Sequence, residues 1–89
     1  MELSDIKSKL IEFESIINDI KTTLKIDAKR EMLQLLEEKT MENGFWEDSK
    51  KSGEVLKQIK DLKVELSSFE KVYSLYESLE VAYELLKEE

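Results

Sequence analysis

Eighty-nine residues, with 39% charged and 40% hydrophobic side chains, two glycines and no proline, describe one small helical domain, not a sheet protein or a disordered tail. The absence of cysteine and histidine excludes disulfides, thiolate chemistry and the commonest general base and metal ligand. A formal net charge of −7, from 21 acids and 14 bases, opposes direct nucleic-acid binding and attraction to anionic membranes.

No apolar run approaches the roughly 18 residues of a membrane span. Met1-Glu2-Leu3-Ser4-Asp5 lacks the basic start and apolar core of a signal peptide, so a cytoplasmic location is expected. The charge is unevenly placed. From Ser49 to Phe69 five lysines face three acids, a balance of +2, and from Glu70 to Glu89 six glutamates face two lysines, a balance of −4. Such runs are ordinarily solvated helix faces; the alternative is steering of a basic partner to the C-terminal end.

In chain order, a first helix is expected over about 4–24, capped by Ser4 or Asp5. Leu3, Ile6, Leu10, Phe13, Ile17, Ile20 and Leu24 alternate in steps of three and four, a heptad seam. Ile11 and Ile16 flank this seam and suggest contact with two neighbours. Asp27 is the expected cap of a second helix over about 27–42. The very short join favours antiparallel neighbours. Met32, Leu33, Leu35, Leu36 and Met41 give this helix a broad apolar face, with Lys29, Arg30, Glu31, Glu37 and Glu38 on the wet side.

The clearest interruption is Asn43-Gly44-Phe45-Trp46-Glu47-Asp48. Gly44 suits the left-handed residue that closes a helix end, Phe45 folds back on that end, and Asp48 caps the next helix. Trp46, the only tryptophan, is expected to plug the end of a bundle core, with a partner-binding hot spot as the rival reading. A third helix is expected over about 49–87, with Gly53 a weak point near its start.

The seam of the third helix runs Val55, Ile59, Leu62, Leu66, Phe69. The same heptad continues into Tyr73, Tyr76, Glu80 and Tyr83, whereas Val72, Leu75, Leu79, Ala82 and Leu86 form a second, cleaner stripe. A phase slip of this kind marks a change of winding or of packing partner. Ser67 and Glu70 have capping-box spacing, but a continuous or gently bent helix is the favoured reading. The expected architecture is all-α, an antiparallel three-helix bundle or helical hairpin with a long, partly overhanging third helix. If the first two helices both pack on its first half, Val72, Leu75, Tyr76, Leu79, Tyr83 and Leu86 are left as a candidate interface. Such a stripe is covered by a second copy or by a helix of a longer chain.

No catalytic constellation is present. Glu77, Glu80 and Glu84 share a face, but exposed, flexible carboxylates make a poor metal cage. Glycine only at 44 and 53 rules out phosphate loops and dinucleotide fingerprints. No cofactor is expected.

Several stretches carry a resemblance. Met1-Glu2-Leu3-Ser4-Asp5-Ile6-Lys7 comes first, and Ile26-Asp27-Ala28-Lys29-Arg30-Glu31 opens the second helix. Phe45-Trp46-Glu47-Asp48 follows, and the long Glu/Lys/Leu helix ends in Tyr83-Glu84-Leu85-Leu86. Together they resemble the N-terminal domain of bacterial peptide chain release factor 2 across essentially residues 1–89. The resemblance implies an intact protein that terminates translation at UAA and UGA. The family's Gly-Gly-Gln and Ser-Pro-Phe motifs have no counterpart here, so hydrolysis and codon reading fall outside this chain. It also implies docking at the stalk base of the large ribosomal subunit and a link to the GTPase that recycles release factors. Many members carry Leu-Asp before the second helix, where Lys25 follows Leu24 here, and a proline where this chain has Ser49. The rival reading is a free-standing coiled-coil adaptor acting by self-association.

Overall fold

The computed structural model describes residues 2–89; Met1, which opens the first resemblance stretch, lies outside the described residues. It is all-α: helix α1 spans Leu3–Thr23, α2 spans Ile26–Lys39, and α3 spans Ser49–Glu88, with a short 3-10 turn at Phe45–Glu47. The described residues contain no strand.

Helix α1 begins earlier than its expected Ser4 or Asp5 cap. Glu2, in extended backbone, is the cap residue and makes no side-chain cap bond. Its carbonyl instead accepts from the amides of Asp5 and Ile6 at 3.0 and 3.2 Å. Asp5 lies in the first turn, where a carboxylate favours the positive end of the helix dipole.

Asp27 does not cap α2 either. The turning residue is Lys25, held in the left-handed region at φ 54° and ψ 51°, a conformation costing roughly 1–2 kcal/mol for a side chain with a Cβ. That cost has a local counterweight. Ile26, the next residue and the first of α2, is only 1% exposed, and full burial of an isoleucine contributes about 1.5–3 kcal/mol. Asp27 then sits in the first turn, paired with Arg30 at 3.4 Å.

Helix α2 ends at Lys39, three residues short of the expected boundary. The Thr40 hydroxyl donates to the Glu37 carbonyl at 2.6 Å, and the amides of Met41 and Glu42 donate to the carbonyls three residues back, both at 3.1 Å. This tightening into 3-10 geometry satisfies the terminal carbonyls before the glycine is reached. Gly44 does take the left-handed conformation, at φ 83°, but as the residue that heads the 3-10 turn.

Helix α3 runs 40 residues without interruption, about 60 Å at the usual rise. The capping-box spacing of Ser67 and Glu70 goes unused: Ser68 turns its hydroxyl back onto the Val64 carbonyl at 3.1 Å, leaving the backbone ladder intact.

The molecule divides into two compact units. One combines the described residues through Leu24 with Phe69–Glu89; the other is Lys25–Ser68. In the second, α2 and the first half of α3 form an antiparallel hairpin. Met32 and Leu36 face Leu62 and Glu65, and Lys39 and Glu42 lie by Lys51 and Val55. Leu36, Ile59 and Leu66 are buried here. Lys29, assigned to the wet side, is half-buried and reaches Glu65 at 2.7 Å.

In the first unit, α1 runs antiparallel to the second half of α3, with Phe13 on Tyr76 and Leu10 beside Tyr83. The segment after Phe69 is therefore not left without a covering helix, the outcome expected if α1 packed on the first half of α3: α1 packs on it. Ile17 is buried and Ile6, Leu10, Phe13 and Ile20 are half-buried, as the middle of the heptad seam requires, whereas its ends, Leu3 and Leu24, and the flanking Ile11 and Ile16 are exposed.

Gly53 sits inside α3, and a Cβ built on it meets nothing within 4 Å. Gly53→Ala is therefore expected to stabilise the protein by about 0.5–1 kcal/mol. A thermal melt should rise by about 2–8 °C; an unchanged or lowered midpoint would refute the open space around this position.

Candidate functional site

The heptad seam of α3 settles which of its two apolar stripes is the core. Burial falls at Ser52, Ile59, Leu66, Phe69 and Tyr76, with Val55, Leu62 and Tyr83 half-buried, one heptad phase from end to end. No slip occurs in the packing. The cleaner aliphatic stripe is the one left outside: Val72, Leu75, Leu79 and Leu86 are between 40% and 55% exposed. The six candidate interface residues therefore separate. Tyr76 and Tyr83 turn to α1, and the four aliphatic residues face solvent.

Tyr76 is the centre of the α1–α3 contact, only 6% exposed. Its ring stacks on Phe13 with centroids 5.7 Å apart and planes 10° from parallel. Its hydroxyl donates to Glu14 Oε2 at 3.1 Å, so its polar tip is satisfied at the edge of the seam. Burial, then hydrogen bonding to Glu80 and Glu14, pushes the phenol pKa far above its ordinary value. Each effect disfavours a phenolate, because negative charge would be desolvated and placed beside carboxylates.

Around this contact lies a shallow groove with Leu10, Ile11 and Tyr83 as its apolar part and Glu14, Glu80, Glu84 and Lys7 as its charged part. At about 150 Å³ it is smaller than the 300–1,000 Å³ of small-molecule sites. Sequence reasoning placed Glu80 on a wet face and passed over Glu14. The available signal was the heptad itself: continuing the seam through Tyr76 and Glu80 and pairing α1 antiparallel brings Glu14 to Tyr76.

At the corner between α2 and α3, the Asp48 side chain accepts from the Lys51 amide at 3.1 Å, and its carbonyl accepts from the Ser52 amide at 3.0 Å. Phe45 is half-buried against this corner. Trp46 departs from its expected place. It is 63% exposed, so it plugs no core. Its ring meets Phe45 edge-on, with centroids 4.8 Å apart. The tight 3-10 turn gives adjacent residues different directions, and Phe45 takes the inward one.

Among the described residues no group of three or more His, Cys, Asp or Glu is placed to hold a metal ion. No described helix is long and apolar enough to cross a membrane.

No protein-family model matches the chain, and no solved structure matches it. Relatives are found among curated proteins. Peptide chain release factor 2 of Lactiplantibacillus plantarum is 35% identical over 89 residues, covering 100% of this chain and 24% of the relative. The same factor from Petrotoga mobilis is 31% identical over 83 residues, 93% of this chain and 23% of the relative. That of Listeria monocytogenes is 29% identical over 89 residues, again 100% of this chain and 24% of the relative. The chain thus spans about a quarter of the length of the relatives it matches. Over its whole length it is similar to the N-terminal region of bacterial peptide chain release factor 2.

Proposed function

We propose that the chain is the ribosome-docking N-terminal domain of a class I peptide chain release factor, whose intact form ends translation at UAA and UGA. The observation that carries this reading is the similarity of all 89 residues to the N-terminal quarter of the Lactiplantibacillus plantarum factor. Peptidyl-tRNA hydrolysis and codon reading then belong to the remaining three quarters of such a factor. The partners are the stalk-base region of the large subunit and the GTPase that recycles release factors, in the cytoplasm.

On this reading the isolated chain releases no peptide from ribosomes stalled at UAA or UGA. Deleting the corresponding region from an intact relative slows factor binding and recycling more than the hydrolytic step. Peptide release by the chain alone, or a deletion without effect on binding, would refute the assignment.

A second reading, self-association as a free-standing adaptor, is favoured by the exposed Val72, Leu75, Leu79 and Leu86. It predicts a dimer by light scattering that Leu75→Glu with Leu79→Glu converts to monomer; a wild-type monomer at high concentration removes it.

A further inference from the structure

The α1–α3 groove combines features that neither the family match nor the docking role assigns. Its apolar part is Leu10, Ile11 and Tyr83, and Ile11 is exposed. Its charged part holds Glu14, Glu80 and Glu84 against a single lysine, Lys7. The surrounding stretch Glu70–Glu89 carries six glutamates and two lysines, a balance of −4, so the local field repeats the sign of the groove. Glu80 and Glu84 stand one helical turn apart and so share a face. Tyr83 supplies a half-buried aromatic ring next to them. The Phe13 stack and the Glu14 hydrogen bond fix Tyr76 beneath, so the surface is formed in advance.

We propose that this groove docks an arginine-bearing amphipathic segment of a protein partner. A guanidinium is planar, stacks on aromatic rings and forks onto carboxylates, which suits a tyrosine beside a pair of glutamates. The apolar side chains of the same segment would cover Leu10 and Ile11. Charge complementarity selects this occupant over two others. A nucleic-acid phosphate chain is repelled by the carboxylates, and a second copy of α3 would set its own Glu70–Glu89 acids against these. The inference rests on the docking reading for its biological setting but stands on the groove geometry alone.

The test titrates the chain with a synthetic amphipathic helical peptide carrying arginines and leucines, beside a version with every arginine replaced by lysine. Amide shifts in nuclear magnetic resonance give both location and affinity. The arginine peptide should shift Leu10, Ile11, Glu80, Tyr83 and Glu84 and bind more tightly than the lysine peptide. The double variant Glu80→Gln with Glu84→Gln should weaken it about tenfold. A charge-matched control, Glu31→Gln with Glu37→Gln in α2, should change affinity less than about twofold. Equal weakening in the two variants, shifts centred elsewhere, or indifference to arginine against lysine would overturn the groove as a site. A single-stranded RNA oligomer that shifted the same residues would also overturn it. None of these results depends on ribosomes. Failure here with intact docking would remove the groove and leave the release-factor reading, and the reverse pattern would do the opposite.

Discussion

Replacing Tyr76 with alanine is expected to lower stability by about 3–5 kcal/mol, the range for deleting a buried aromatic ring. The ring is buried by Phe13 on one face and by the α1–α3 seam around it, so its removal leaves a void that two rigid helices do not close. Urea unfolding should show the midpoint falling with little change in slope. Tyr76→Phe separates the ring from its hydroxyl: the stack survives and one hydrogen bond to Glu14 is lost, for about 0.5–1.5 kcal/mol. The pair also has a pH signature. The phenol pKa is raised in the fold, so the protonated hydroxyl contributes stability that is fully present below the ordinary tyrosine value of about 10. It is lost as pH rises above that value towards the folded one. Stability of the native chain should therefore fall more steeply above about pH 10 than that of Tyr76→Phe. Parallel profiles would show that the hydroxyl is not held at the carboxylates.

The second large effect belongs to Ile26. At 1% exposed it is the most completely buried side chain described, and it follows directly on the left-handed Lys25. Ile26→Ala should cost about 2–5 kcal/mol, and Ile26→Val about 0.5–1.5. The loss of Ile26 also leaves the strained Lys25 conformation without its compensation. Trp46→Ala is the informative contrast, because a larger side chain is removed from an exposed position. Its effect on stability should stay within about 0.5 kcal/mol. If the tryptophan variant were the less stable of the two, the placement of the corner would be wrong.

The heptad of α1 was legible in its middle, from Ile6 to Ile20, because these residues repeat at helical spacing and one partner face suffices to cover them. The break at Gly44 and the Asp48 cap were legible because few residues tolerate a left-handed backbone or serve as an N-terminal acceptor. Three features were not. Trp46 is indistinguishable from a core residue by type, and only the direction set by the 3-10 turn separates it from Phe45. Lys25 carries no left-handed signal; its conformation follows from what burying Ile26 demands. The true face of α3 was hidden because its aliphatic stripe is cleaner than its core. Tyr76 and Tyr83 bury rings while their hydroxyls, and Glu80 between them, keep the seam partly polar. Hydrophobicity by residue favours the leucines, whereas the antiparallel fit of Phe13 and Glu14 to Tyr76 selects the tyrosines. That fit lies between segments far apart in sequence, beyond what a local pattern contains.

The docking account is tested most directly by a chimaera in which this chain replaces the N-terminal quarter of the Lactiplantibacillus plantarum factor, assayed for peptide release on ribosomes programmed with UAA or UGA. The account predicts binding and release within a fewfold of the parent and clearly above a version lacking the region. A chimaera no better than the deletion, despite a folded N-terminal domain, would contradict it.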